Sequence, residues 1–252
     1  MTVNDELNLL LRRANDAVKI SEDKYMVKTV GFLTPAERVF LQKNADKPTD
    51  GRIIYFGGYP EAERTLFAAV PQYIEDDAVW NEVALLSVTG RNIENMTHRD
   101  FLGSLMGLGI KREMVGDILV LASRCLIFVR REIAPYILSN LDRIGRDGVK
   151  IEIADFNDIE IPPRKTEEIS GTVAGIRLDA VLSIACKTSR AKAAEYITGG
   201  AVSVNWEETE NVSKGVKEND VISVKGKGRF KVSRIGGLTK KGRYGVTVEK
   251  YI

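Results

Sequence analysis

Two positively charged side chains fall where a helix normally disfavours them. Arg190 and Lys192 lie in the first turn of a helix that Thr188-Ser189 is predicted to cap. The N-terminus of a helix carries partial positive charge, so cations there are unfavourable unless an anion binds beside them. Backbone N–H groups that point outward from a helix start add to that attraction. The pattern therefore indicates an anion-binding site, and nucleic-acid phosphate is its leading ligand.

Other cations surround this helix start. Arg177 begins the preceding predicted helix, and Lys187 follows that helix. Lys227 and Arg229 alternate with glycines, which let a backbone approach a ligand closely. Arginine can hold a phosphate through two parallel hydrogen bonds, whereas lysine acts as a point charge. The candidate RNA-binding residues of this region are Arg177, Lys187, Ser189, Arg190, Lys192, Trp206, Lys214, Lys227 and Arg229.

These candidates also have simpler interpretations. The cations could be solvated surface charges or members of an ordinary charged hairpin. Trp206 could stack on a base, or it could pack against a neighbouring strand. Asp179, which follows Arg177-Leu178, is expected to bond within its own module rather than to bind a ligand.

A second group of cations lies in the first half of the chain. Lys111 and Arg112 stand beside Gly109 at the start of a predicted short helix, which repeats the pattern of cations in a first turn. Arg64 ends an acidic segment, where an ion pair with Glu61 is the alternative interpretation. We predict a second contact with RNA or the ribosome at Arg64, Lys111 and Arg112.

The sequence offers no convincing catalytic set. His98 is the single histidine and lies in the first turn of a helix capped by Thr97 and Asp100, with no nucleophile or metal partner in its pattern. Gly57-Gly58 follows a predicted strand but lacks the remainder of a P-loop or dinucleotide motif, so a turn is favoured. We therefore expect no catalytic residue, no metal and no cofactor.

Charge is unevenly distributed along the chain of 252 residues. The net charge is +2 overall, but residues 170–252 contain 15 cations and 8 anions, whereas the first 169 residues contain 22 and 27. This asymmetry indicates a basic binding module attached to a mildly acidic body. Cys125 and Cys186 fit no disulfide or zinc pattern and are expected to be small core residues. With no predicted signal peptide or membrane span, we expect a cytoplasmic protein.

The periodicities predict an α+β fold in two domains. The first is an N-terminal mixed α/β domain over residues 1–160, with one sheet and helices on one face. A charged, proline-containing linker over 161–169 connects it to a small RNA-binding domain over 170–252. Predicted helices cover 5–20, 34–44, 97–108, 111–115, 131–141, 176–185 and 188–197. Predicted strands cover 52–56, 65–70, 83–89, 117–122, 125–129, 149–154, 201–205, 221–224, 230–235 and 244–248.

The C-terminal domain resembles the S4-type RNA-binding domain. Trp206 stands where that family usually has a glycine, which argues against a standard tight turn at this point. The resemblance implies that structured RNA lies against the face formed by the two helices. The matching residues are Arg177-Leu178-Asp179, Ser189-Arg190, Ala194, Ile197, Gly200, Val202, Val204-Asn205, Ser213, Val216, Asp220 and Ile222.

Nearly the whole chain resembles the YlmH family of bacterial and plastid S4-domain proteins. The resemblance implies a non-enzymatic RNA-binding factor that associates with ribosomal RNA on the large subunit and handles stalled subunits carrying peptidyl-tRNA. It also implies structured RNA partners, with tRNA a further candidate. We further expect no membrane partner and a monomer off the ribosome. The segments that carry it are 57–64 (GGYPEAER), 98–120 (HRDFLGSLMGLGIKREMVGDILV), 204–206 (VNW), 226–230 (GKGRF) and 239–243 (TKKGR).

Two other functional classes are weighed against this one. An RNA-modifying enzyme of the pseudouridine synthase or methyltransferase type could use such a domain for targeting. No methyl-donor glycine loop is present, and Asp179 belongs to the binding module rather than to a synthase site. A tyrosyl-tRNA-synthetase-like fragment is disfavoured because a single histidine cannot make the nucleotide-binding signature of that class.

Overall fold

The computed structural model describes residues 3–162 and 165–252, with the backbone alone at Val3, and the chain divides into two compact units, Met1–Pro162 and Pro163–Ile252. Two residues of the predicted linker, Pro163 and Arg164, lie outside the described residues. The second half of that predicted linker is not a linker, because residues 166–169 form the start of a strand. Thr166 and Glu168 are exposed on one side of the sheet, whereas Glu167 and the buried Ile169 lie on the other.

The N-terminal unit contains four α-helices and eight strands among its described residues. The helices are α1 Val3–Lys24, α2 Pro35–Asn44, α3 His98–Gly107 and α4 Ala134–Asn140. The strands are β1 Lys28–Leu33, β2 Gly51–Phe56, β3 Thr65–Pro71, β4 Val83–Gly90, β5 Val115–Val120, β6 Cys125–Arg130, β7 Arg143–Ile144 and β8 Asp147–Ala154. Short 3-10 turns lie at Asp76–Glu82, Ile93–Asn95, Arg112–Met114, Arg131–Ile133 and Phe156–Asp158.

These strands form two antiparallel sheets, where the sequence led us to expect one. The first has the order β1-β3-β2 and the second the order β5-β6-β4-β8-β7. The two sheets meet closely at glycines: a Cβ on Gly31 of β1 would lie 2.5 Å from the carbonyl oxygen of Glu113. A Cβ on Gly116 of β5 would likewise lie 2.7 Å from the ring of Phe32. A side chain at Gly31 would therefore displace the turn before β5, and one at Gly116 would displace the Phe32 ring.

Helix starts in this unit are set by local hydrogen bonds, as the sequence predicts. Thr34 and Glu37 form a capping box at the start of α2, with the Thr34 backbone N–H donating to Glu37 Oε2 at 2.6 Å. Thr97 and Asp100 repeat the arrangement at α3, where the Thr97 N–H donates to Asp100 Oδ2 at 2.7 Å. Hydrogen bonds from the backbone and hydroxyl of Thr97 hold the pKa of Asp100 below its usual value.

The described residues of the C-terminal unit, 165–252, form a six-stranded antiparallel sheet and two helices. The sheet order is β11-β10-β12-β13-β14-β9, so the strand that precedes the helices pairs with the last strand of the chain. The helices are α5 Leu178–Ala185 and α6 Arg190–Thr198. The strands are β9 Thr166–Val173, β10 Val202–Val204, β11 Glu207–Glu208, β12 Val221–Val224, β13 Gly228–Leu238 and β14 Tyr244–Tyr251.

Both helices cover the same face of this sheet. Ile222, Phe230 and Val248 are buried in one cluster with Val181 of α5 and Ile197 of α6. Because successive side chains of a strand point to opposite faces, the residues between these buried ones face the other way. We call the two sides the helix face and the open face of the sheet.

Trp206 lies in a tight turn after all, so the expectation drawn from its replacement of glycine is wrong. Val204 pairs with Glu207, which leaves Asn205 and Trp206 as a two-residue hairpin turn, with φ of 50° and 66°. The Asn205 side chain holds the turn by accepting from Val221 N–H at 2.9 Å and donating to Asp220 at 2.8 Å. A bulky residue in this backbone region costs roughly 1–2 kcal/mol.

Candidate nucleic-acid interface

Two arginines from the starts of α5 and α6 meet at one buried carboxylate. Arg177, the N-cap residue of α5, donates from Nε to Asp179 Oδ1 at 3.2 Å. Arg190, the first residue of α6, donates from Nη2 to Asp179 Oδ2 at 2.5 Å. The Asp179 side chain is 7% exposed, whereas those of Arg177 and Arg190 are 45% and 55% exposed. The carboxylate therefore fixes two guanidinium groups whose remaining edges face solvent.

The anion that offsets the first-turn cation is thus supplied partly by the protein itself. Burial opposes the ionisation of Asp179, but the hydrogen bond and charge of Arg190, with the charge of Arg177, hold its pKa below the usual value. The three groups carry one net positive charge near neutral pH. This arrangement can accept a phosphate on the exposed N–H groups of either arginine, with the side chains already ordered.

The other predicted residues at this helix start have defined roles of their own. The Ser189 hydroxyl caps α6 by accepting from the Lys192 N–H at 3.1 Å, as its position predicts. The Lys192 ammonium pairs with Glu195 at 2.6 Å and lies 5.6 Å from the centre of the Tyr196 ring. Both charges are exposed, so an RNA phosphate can compete with Glu195 for this lysine.

A second group of lysines gathers near the C-terminal end of α5. Lys187 pairs with Glu167 of β9 at 2.8 Å. The hydrogen bond and charge of Lys187, together with the charge of Lys250, lower the pKa of Glu167. The Cys186 thiol lies beside them: burial raises its pKa, and the charges of Lys227 and Lys250 oppose that shift. These three lysines and one carboxylate extend the positive region of the helix face.

Lys250 is a member of this region that was not predicted from the sequence. Lys250 is paired with Phe230 in the sheet, so both side chains project on the helix face. Its stem passes over the β12–β13 turn, where a Cβ on Gly228 would lie 3.9 Å from Lys250 Cε. The alternation Val246, Val248, Lys250 in the last strand was the available signal.

Arg229 lies on the opposite side of the sheet from the site for which it was predicted. Phe230 next to it is buried beneath the helices, so Arg229 projects from the open face. Its guanidinium lies 6.0 Å from the centre of the Tyr251 ring, which belongs to the same face. The structure therefore brings Arg177, Lys187, Ser189, Arg190, Lys192 and Lys227 to the helix side and separates Arg229 from them.

Lys214 and Trp206 lie in loops of the same unit. The backbone carbonyl of Lys214 accepts from the Leu178 N–H at 2.8 Å, which fixes this loop to the start of α5. The Lys214 side chain is half-buried. The indole of Trp206 is half-buried, and its Nε1–H is buried without a hydrogen-bond partner among the described residues. This unsatisfied donor adds to the strain of the turn.

Arg64 and Arg112, two of the three cations predicted to form a second contact, are structural residues. Arg64 donates to the carbonyl oxygens of Phe32 at 2.6 Å and Val115 at 3.1 Å, which joins β1 to β5. Arg112 donates to the carbonyl oxygens of Val115 and Gly116. Burial, with the nearby charge of Arg64, lowers the pKa of Arg112 to about 10. Only Lys111 of this group presents an exposed charge.

Asp117 completes this half-buried polar cluster and orders the Gly57-Gly58 turn. It accepts hydrogen bonds from the Tyr59 hydroxyl at 2.7 Å, the Glu63 N–H at 2.8 Å and the Arg64 N–H at 3.0 Å. A Cβ on Gly58 would lie 2.4 Å from the Phe128 ring. The segment 57–64 is thus a packed turn rather than a phosphate loop, because its glycines are in contact with the core.

Among the described residues, no three His, Cys, Asp or Glu side chains are placed to hold a metal ion. Burial first, and then the charge of Arg112, lower the pKa of His98. In the part of the chain that the structure describes, no helix is both long enough and apolar enough to cross a membrane.

Two substitutions that each remove one negative charge from this region are expected to change RNA affinity in opposite directions. Glu195→Gln should strengthen RNA binding by roughly two- to threefold, because it frees Lys192 from an exposed ion pair. Asp179→Asn should weaken it severalfold, because the two arginines lose the carboxylate that orders them. Fluorescence anisotropy with a labelled RNA hairpin measures the RNA affinity of both variants. A gain in affinity for both variants would mean that Asp179 only competes with phosphate.

Comparison with known proteins places this geometry in a family. The family model described as "Putative RNA-binding domain in YlmH" matches residues 82–158, and that of the S4 domain matches residues 176–222. The match to the S4 domain confirms the predicted resemblance and ends within β12, so β9, β13 and β14 lie outside it.

Similarity to individual proteins covers most of the chain. The "Ribosome-associated protein quality control protein P2" of Bacillus subtilis (strain 168) is 33% identical over 233 residues, which cover 92% of this chain and 90% of that protein. A solved structure, "Cell division protein ylmH from Streptococcus pneumoniae", matches with a TM-score of 0.52 at 20% identity, over 64% of this chain and 97% of its own. The structural match shows the fold alone. Because the Bacillus relative extends over nearly the whole sequence, this chain belongs to the YlmH family.

Proposed function

We propose that this protein is an RNA-binding factor that associates with ribosomal RNA on the large ribosomal subunit and acts on stalled subunits that still carry peptidyl-tRNA. The observation that carries the proposal is the pair Arg177 and Arg190, held by Asp179 at the starts of two helices in the S4 segment. The Bacillus relative, named as a ribosome-associated quality control protein, supports the ribosomal setting.

The helix face favours a structured RNA. Its cations come from several elements and so reach phosphates on more than one strand, which suits recognition of an RNA stem by shape and phosphate position. Candidate contacts are Arg177, Lys187, Ser189, Arg190, Lys192, Lys227 and Lys250, with Lys214 and Trp206 at the loops beside them. The protein would act without catalysis or cofactor, as a cytoplasmic monomer that reaches the subunit from solution.

Sedimentation with purified ribosomal particles tests this function. The full chain is expected to migrate with large subunits in a sucrose gradient, more strongly with subunits that carry peptidyl-tRNA than with empty ones, and not with small subunits. Raising the salt concentration should release it, because phosphate contacts depend on counterion release. Equal association with both subunits, or none, would refute the ribosomal role.

The enzyme alternative makes a different prediction for the same material. An RNA-modifying enzyme would change the mass of nucleosides in large-subunit RNA upon incubation with a methyl donor, or would convert uridine to pseudouridine without one. We expect nucleoside mass spectrometry and pseudouridine-specific chemistry to show no change. A modified nucleoside that depends on the protein would overturn the non-enzymatic proposal.

A further inference from the structure

The N-terminal unit contains a segment similar to an RNA-binding domain, but half of its basic side chains are already engaged. Residues 82–158 contain ten lysines and arginines. Five are bound to backbone carbonyls or to carboxylates, namely Arg112, Arg124, Arg130, Arg131 and Lys150. The other five are Arg91, Arg99, Lys111, Arg143 and Arg146. Their side chains have no hydrogen bond or ion pair among the described residues.

Two of those five cations line one groove. Arg99 lies in the first turn of α3, and Arg143 opens β7, which follows α4. Their side chains border a cavity of about 460 Å³ whose walls come from α3, the end of α4 and β7. Arg146 lies next to Gly145 in the two-residue turn that joins β7 to β8. Exposed positive charge from separate parts of the sequence therefore converges at this groove.

The groove is open because glycines line it. A Cβ on Gly103 of α3 or on Gly145 of the turn would meet no atom within 4 Å. Gly145 has φ of 60°, so the turn itself requires a residue that tolerates this conformation. A ligand can thus approach the backbone of both walls. The volume lies in the range of small-molecule sites, roughly 300–1,000 Å³, which is large enough for one nucleotide.

The acidic residues of the groove decide which part of an RNA it suits. The Asp100 carboxylate is occupied by the capping bonds from Thr97. Asp142 is exposed, and the Asn140 amide donates to the Tyr136 carbonyl at 2.8 Å, which leaves its oxygen as an acceptor. A continuous track for duplex phosphates would not include a carboxylate. Arginines beside acceptors instead match a nucleotide with one phosphate and a base that carries an amino group.

We propose that this groove binds one unpaired nucleotide of the RNA that the protein recognises. The phosphate lies on Arg99 and Arg143, and the base presents an amino group to Asp142 and Asn140. Cytosine, adenine and guanine carry such a group, whereas uracil does not. The inference rests on the proposed RNA-binding function and adds to it a second contact, in a unit separate from the S4 segment.

Binding of single-stranded oligonucleotides by the full chain tests the groove. Arg99→Gln with Arg143→Gln should lower the affinity for oligocytidylate about tenfold or more, since these side chains no longer donate charge-assisted hydrogen bonds to a phosphate. Arg91→Gln with Lys150→Gln is the matched control: it removes two exposed charges from the same segment but none from the groove. Asp142→Asn should reduce the preference for oligocytidylate over oligouridylate.

The outcomes separate this inference from the proposed function. Suppose that binding to large-subunit RNA depends on Arg177 and Arg190, but that the groove variant binds oligocytidylate as tightly as the control variant does. The groove is then refuted and the proposed function stands. Wild-type protein that binds no RNA refutes both. Thermal denaturation of each variant confirms folding, which exposed substitutions should leave unchanged.

Discussion

Replacing Arg177 and Arg190 together by glutamine is expected to weaken RNA binding by about 100-fold or more. Each guanidinium offers charge-assisted hydrogen bonds worth roughly 1.5–3 kcal/mol apiece, and removing both eliminates the ordered centre of the helix face. The slope of the logarithm of the binding constant against that of salt concentration should also fall, by roughly 0.7–0.9 for each phosphate that the protein no longer neutralises. Salt titration of binding to a structured RNA measures both effects.

The control for this variant lies on the other side of the same sheet. Arg229→Gln with Lys231→Gln removes two charges from the open face, and we expect little change in affinity or slope. Because the first variant leaves Asp179 without its arginines, it should be repeated with Asp179→Asn, and folding should be checked by circular dichroism. A greater decrease in affinity from the open-face variant than from the helix-face variant would place RNA on the side of the sheet opposite to the proposed one.

Arg64→Ala is expected to destabilise the N-terminal unit by roughly 1.5–3 kcal/mol, because it removes charge-assisted hydrogen bonds to the carbonyl oxygens of β1 and β5 and the favourable charge beside Asp117. Arg64→Lys should restore little, since an ammonium cannot span the carbonyls of β1 and β5 as a guanidinium does. Chemical denaturation of the full chain carrying Trp206→Phe, followed by the fluorescence of the remaining Trp80 in the N-terminal unit, measures the decrease in stability.

Lys111→Ala provides the comparison for Arg64. Lys111 was predicted for the same second contact, but its side chain is exposed, so its removal should change stability by no more than roughly 0.5 kcal/mol. RNA binding at the helix face should persist in both variants at temperatures where the protein is folded. If Arg64→Ala left stability unchanged and abolished RNA binding, Arg64 would be a binding residue.

Much of the fold follows from local sequence patterns. The capping boxes at Thr34 and Thr97 and the cap at Ser189 mark helix starts that the structure contains. β1 and β9 were missed for physical reasons. Gly31 resembles a strand breaker, yet glycine is the residue that fits against the carbonyl of Glu113. β9 is charged on its exposed side, and its partner lies at the other end of the chain.

Some residues of the candidate site could likewise be predicted from the sequence, and others could not. The cations at the helix starts could be predicted because the helix dipole makes their positions unusual. The hydrogen bonds of Arg64 and Arg112 to the main chain could not be predicted, because the sequence does not tell which backbone carbonyls come near these side chains. The face on which Arg229 lies depends on the register of β13, since a shift of one residue reverses the direction of every side chain in the strand.

Crosslinking to RNA in purified large ribosomal subunits tests most directly whether the helix face binds RNA. Ultraviolet irradiation of the full chain bound to these subunits, with the crosslinked peptides identified by mass spectrometry, reports which surface lies against RNA. We predict crosslinks within 177–192, at the starts of α5 and α6. Crosslinks confined to the open face, around Arg229 and Tyr251, with none in 177–192, would contradict this placement of the RNA.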